Sequence, residues 1–139
     1  MKPGLTVGMS RTRRYEVDKD RTIGFMGEAL RVYATPSMTR DMEVTCRDFL
    51  AEYFDEGENS VGARIELDHM GPSLLGSQID VTATVAEIEG RRVLFDFEVR
   101  DELDQVGRGK HTRFVVTLDK QRERLEAKKA RLQEARKKG

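Results

Sequence analysis

The clearest pattern in the chain is a run of apolar positions at helical spacing. Met38, Met42, Cys46, Phe49, Leu50 and Tyr53 recur three and four residues apart. At about 3.6 residues per turn they stack on one face. The spacing predicts an amphipathic helix from Ser37 to Tyr53, with the Ser37 hydroxyl as N-cap and Gly57-Glu58-Asn59 as the stop. Pro36 biases Thr35 away from helical backbone, so Thr35 is expected in an extended lead-in. Glu43 lies at the edge of the stripe, one turn before Cys46, either solvated at the rim or partly buried for a reason.

Before the helix, Arg11–Val17 reads as a strand. Residues 18–34 read as a short helix or covering loop, because Gly24 and Gly27 interrupt the apolar positions Ile23, Phe25, Met26, Ala29, Leu30 and Val32. After the helix the period changes to two. Ala63, Ile65 and Leu67 alternate with charged residues, as do Ile79, Val81, Ala83 and Val85 with Asp80, Thr82 and Thr84. Val93, Phe95, Phe97 and Val99 follow, and Phe114, Val116 and Leu118 complete the set. Turn signals at Glu89-Gly90-Arg91 and across Asp101–Gly107 predict antiparallel pairing. One helix with one apolar stripe against strands with one apolar face is an α+β arrangement. Such a sheet keeps open edges, which edge-to-edge pairing in a homodimer would satisfy.

Composition narrows the class. A chain of 139 residues suffices for one domain with a core, and no apolar run approaches the length of a membrane span. The start of the chain has no signal-like apolar stretch, and a single cysteine cannot form an internal disulfide. No Cys/His cluster has metal-ligand spacing. A cytoplasmic protein without metal or cofactor is expected. The zero net charge hides an asymmetry: residues 119–139 carry nine Lys/Arg against four Asp/Glu. With few aromatics nearby this reads as a solvated basic helix or tail, and a nucleic-acid partner is not expected. The domain assignment is 1–118 for the folded unit and 119–139 for the tail.

Taken singly, Thr35 is a turn residue, Glu43 a rim carboxylate and His69 a strand-end histidine. Together with their neighbours they resemble a family. The pieces are Val32-Tyr33-Ala34-Thr35-Pro36, Met42-Glu43, Ser60-Val61-Gly62, His69 with Gly76 seven residues later, Glu89-Gly90-Arg91-Arg92, and Gly107-Arg108-Gly109-Lys110-His111-Thr112-Arg113. In order and spacing these resemble the hotdog-fold acyl-CoA thioesterases of the fluoroacetyl-CoA thioesterase-like branch, from about Val32 to Leu118. The resemblance implies a long helix wrapped by a curved antiparallel sheet, acting as a dimer with sites near the subunit interface. It implies Thr35, Glu43 and His69 as catalytic residues, Gly62 and Arg113 beside the bound thioester, and an acyl-CoA substrate. The segment between Val17 and Thr35 is shorter than in that branch, where it helps cover the acyl pocket, so the acyl group is left unassigned.

The residue types suit the chemistry. A histidine near its ordinary pKa accepts and returns a proton around neutrality. A carboxylate can attack a thioester directly or activate water, and a threonine hydroxyl attacks only with a base beside it. Thr35 either attacks with His69 as base or positions the thioester by hydrogen bonding. Backbone N–H groups around Gly62 or at the helix start are candidate oxyanion donors. Cys46, Met38 and Met42 read as core, and His111 as a strand residue held by packing or a structural hydrogen bond. Arg113 either meets the substrate or faces water. The alternative function is a non-catalytic hotdog-fold module that binds acyl-CoA or another hydrophobic ligand.

Overall fold

The computed structural model describes residues 1–139. Strand β1 (Ser10–Glu16) opens the chain. A loop with two 3₁₀ turns and a minimal ribbon of β2 (Thr22–Ile23) and β3 (Val32–Tyr33) follows, so residues 18–34 are an irregular segment, and its apolar Phe25, Met26 and Leu30 are exposed. Helix α1 (Thr35–Ala51) comes next, then β4 (Glu58–His69), β5 (Gln78–Glu89), β6 (Arg92–Arg100), β7 (Gln105–Thr117) and helix α2 (Leu118–Lys138). Five strands make one antiparallel sheet in the order β1-β5-β6-β7-β4.

The helix begins two residues before the predicted start. Ala34 is the extended N-cap residue, no side chain caps the helix, and Pro36 sits inside the first turn. Proline is tolerated there because its missing N–H would have had no intrahelical partner. Thr35 is therefore the first helical residue rather than part of the lead-in. Its stripe is buried as expected: Met38, Met42, Cys46, Phe49 and Leu50 are all inaccessible. They pack on the inward faces of β5 (Ile79, Val81, Ala83, Val85) and β6 (Val93, Phe95, Phe97, Val99). The Phe49 and Phe95 rings meet at 5.7 Å between centroids. Truncating one such aromatic costs about 3–5 kcal/mol in a core of this kind.

Two strands differ from their apolar pattern. On β7 Val106, Gly107, the run His111-Thr112-Arg113 and Val115 are buried, whereas Phe114 is 40% exposed and Leu118, just past the strand, is exposed too. The inward positions there carry polar side chains, so hydrophobicity alone selects the opposite phase. On β4 the stretch Gly62–Glu66 is exposed, and Ile65 is 43% accessible. β4 is one of the two edges of the sheet, paired to β7 alone as β1 is to β5, with a register shift between Gly62 and Arg64 that leaves Ala63 unpaired. α2 extends from the end of β7 with no buried residue. No helix is long and apolar enough to cross a membrane.

Candidate active site

Two clusters of polar side chains flank α1. The first is at its N-terminus. The Thr35 hydroxyl lies 2.7 Å from Nδ1 of His69, the last residue of β4. The Tyr33 ring packs edge-on against the imidazole, 6.3 Å between centroids at 72°. Burial lowers the His69 pKa from its ordinary 6.5 and outweighs a backbone hydrogen bond at Gly71 that raises it. The ring is thus neutral near pH 7. With the proton on Nε2, Nδ1 accepts from the Thr35 hydroxyl, the arrangement that makes a threonine nucleophilic. The uncapped helix end adds open N–H groups and the positive end of the helix dipole.

The second cluster surrounds Glu43, two turns along the same helix. Arg113, 4% exposed, lies at its centre. Its Nε donates to Ser60 Oγ at 2.8 Å and one terminal nitrogen to the Ser60 carbonyl at 3.0 Å. The other terminal nitrogen donates to Glu43 Oε2 at 3.3 Å and to His111 Nε2 at 3.2 Å. Burial lowers the guanidinium pKa while Glu43 opposes that shift. His111 is fully buried, and its Nδ1 lies 2.9 Å from the Arg64 carbonyl. A carbonyl only accepts and a guanidinium only donates, so His111 is neutral with its proton on Nδ1. Burial pushes its pKa down as well. Gly62 closes over the carboxylate: a Cβ there would stand 2.7 Å from Glu43 Oε2. An open cleft of about 410 Å³ borders this cluster, lined by Glu43, Arg47, Ser60, Arg113, Val116 and Leu118 among others.

Within one chain, therefore, Thr35 meets His69, and Glu43 meets Arg113 beneath Gly62. The two groups do not touch each other. Arg113 faces neither water nor an open pocket alone; it holds the carboxylate in place. Ser60 and the buried His111 complete this cluster, and neither carries a periodicity signal in the sequence that could mark it as a site residue. Cys46 is core, its thiol pushed up to about 12 by burial. No three His, Cys, Asp or Glu side chains gather into a set that could hold a metal ion.

Comparison with known proteins gives this geometry its context. The family model described as fluoroacetyl-CoA-specific thioesterase matches residues 17–119. The chain belongs to that family. The fluoroacetyl-CoA thioesterase of Streptantibioticus cattleyicolor is 32% identical over 127 residues, 86% of this chain and 91% of that protein. A crystal structure of a mutant of the fluoroacetyl-CoA-specific thioesterase, in complex with fluoroacetate and CoA, superposes with a TM-score of 0.77. It is 32% identical and covers 84% of this chain and 98% of its own. A hot-dog-like protein from Thermanaerovibrio acidaminovorans gives a TM-score of 0.81 at 28% identity, over 91% and 93% of the two chains. The long helix on its antiparallel sheet is thus a hotdog fold, as the resemblance implied. α2 lies almost wholly outside the stretch that the thioesterase family model matches.

Proposed function

We propose that this thioesterase-family protein hydrolyses an acyl-CoA thioester to the free acid and CoA. Thr35, Glu43 and His69 are the catalytic residues, and Gly62 and Arg113 flank the bound thioester. Water's oxygen ends on the acyl carbon, the carbon–sulfur bond breaks, and a proton goes to the departing thiolate. The 2.7 Å approach of Thr35 to His69 at the uncapped start of α1 carries this reading. A hydroxyl, a base and open N–H donors meet there, as attack on a carbonyl and stabilisation of its oxyanion require. Either Thr35 attacks, giving an acyl-threonine, or it holds the thioester while Glu43 attacks or activates water. Mass spectrometry of the protein quenched during turnover separates the two routes.

The position of Glu43 supports a homodimer. Thr35 and Glu43 stand eight residues apart on α1, about 12 Å along the helix axis. His69 ends β4 and Gly62 lies near its middle, seven residues earlier, with Gly62–Glu66 exposed along the strand. Antiparallel pairing of two β4 edges about a two-fold axis near Ile65 sets His69 across from Val61 of the partner subunit. Glu43 of the partner subunit, beneath its Gly62, then joins Thr35 and His69 of the first. The folded unit is 1–118, with 119–139 a basic appendage. The lone, buried, unpaired Cys46 suits a cytoplasmic setting.

Hydrolysis measured as thiol release across short, branched, aromatic and long acyl-CoAs tests the activity. Tight acyl-CoA binding without release from any of them would favour the binding module instead. The shared site is tested with isolated heterodimers of Glu43→Gln and His69→Ala subunits. A shared site leaves one intact centre and about half the wild-type rate per dimer. A site built within each chain leaves none.

A further inference from the structure

The apolar face of α1 contains a carboxylate that the proposed reaction does not use. Asp41 lies between Met38 and Met42 and Thr45, and is 4% exposed. A buried charge in such a place is costly unless it is paired and hydrogen-bonded, and Asp41 is both. Arg21 grips it in a fork, Nε to one carboxylate oxygen at 2.9 Å and a terminal nitrogen to the other at 3.2 Å. The Tyr33 hydroxyl donates to it at 2.6 Å. No polar atom of this cluster reaches the Glu43 group.

The network converges on the short strap that carries Thr35. Tyr33 is fixed at both ends: its hydroxyl by Asp41, and its N–H by the Ser73 carbonyl at 2.9 Å, in the loop that follows His69. Ala34 donates its N–H to the Arg21 carbonyl at 2.8 Å, so Arg21 holds the strap by its backbone and Asp41 by its side chain. Thr35 is the next residue. The Tyr33 ring, inaccessible to solvent, stands in a T-shaped contact with the His69 imidazole. With its hydroxyl free, that ring would be held by packing alone and could shift within it, loosening the wall that sets the imidazole's angle toward Thr35.

We propose that Asp41, clamped by Arg21, acts through Tyr33 as a positioning pair that holds the His69 ring at hydrogen-bonding distance from Thr35. Burial and the neighbouring carboxylate push the Tyr33 phenol well above its usual range, so it stays a donor at every working pH. The pair touches neither substrate nor reacting atoms; it orients the base. The kinetic part of this inference rests on the thioesterase reading, whereas the structural part does not.

The experiment uses the full chain and its two histidines, His69 and His111. Tyr33→Phe keeps the ring and the packing and removes only the hydroxyl; Asp41→Asn keeps the shape and removes the charge. On the best acyl-CoA substrate each should lower kcat about tenfold with KM within twofold, because small misplacements of a catalytic group act on the chemical step. The double variant should be no worse than the poorer single one. In NMR spectra with labelled imidazoles, Tyr33→Phe should shift or broaden the signal that His69→Ala deletes and leave that of His111 in place. An unmoved His69 signal, or a loss of rate carried by KM alone, overturns the proposal. A wild-type protein that cleaves no thioester while its His69 signal still responds to Tyr33→Phe would defeat the enzymatic reading and leave the positioning pair standing.

Discussion

The Thr35 hydroxyl and the Nδ1 atom of His69 meet at 2.7 Å although the residues are 34 positions apart. One begins a helix and the other ends an edge strand, so the contact exists only in the folded chain. His69→Ala removes the base and should lower kcat/KM by about two orders of magnitude or more. Thr35→Ala should match that loss if Thr35 attacks, whereas Thr35→Ser should retain most of the rate. Steady-state kinetics on one acyl-CoA checks all three; rates unchanged in both alanine variants would remove the pair from the chemistry.

Acidification should act on both histidines. His69 works as a base when neutral, and burial holds its pKa below 6.5. The kcat/KM profile should therefore fall to half its plateau only at a pH below 6.5. His111 is neutral in the fold and takes up a proton more readily when unfolded. Its contribution to stability is complete above pH 6.5 and is lost as pH falls through its lower folded value. Melting temperatures from pH 8 to 5 should show that decline, and His111→Gln should reduce it while leaving the share that His69 contributes.

Gly62 should not tolerate a side chain. The first carbon of Gly62→Ala would stand 2.7 Å from Glu43 Oε2 and 3.3 Å from the His111 ring. The carboxylate is the flexible neighbour and would swing away. Activity should fall by about tenfold or more while the melting temperature changes little, since the movable end of one side chain absorbs the clash. Unchanged kinetics in a folded Gly62→Ala protein would show that the position of Glu43 is not needed.

Arg113→Lys tests the frame of the Glu43 cluster. A lysine supplies one point charge where the guanidinium serves the Ser60 hydroxyl and carbonyl, Glu43 and His111 at once. Buried acceptors left unmet should cost about 2–4 kcal/mol in chemical denaturation. A loss below about 0.5 kcal/mol, the range of ordinary surface changes, would contradict this frame.

Much of the fold is legible where burial and hydrophobicity coincide. The stripe from Met38 to Leu50 and the inward faces of β5 and β6 follow the period of their apolar residues, because that face meets nothing but core. Legibility fails near the candidate site. There β7 turns His111 and Arg113 inward and Phe114 outward, and α1 buries Asp41 and Thr45. A polar residue that is buried because a partner satisfies it looks like a surface residue until the partner is known. Ser60, Tyr33 and Arg21 are such partners, 53, 8 and 20 positions away in these bonds. The apolar positions of β4 mislead for another reason: at a free edge, an exposed isoleucine has nothing within the chain to cover it.

The unpaired Ala63 has a consequence for how one strand serves both clusters. Gly62 and His69 are an odd number of residues apart, and in a regular strand an odd interval points two side chains to opposite faces. Their partners on β7, Arg113 and Gly107, differ by six, an even interval. The single inserted residue restores parity, so the glycine over the carboxylate and the imidazole beside the hydroxyl look toward the same helix. Excising Ala63 would turn one of them to the outside without altering any side chain that takes part in the chemistry.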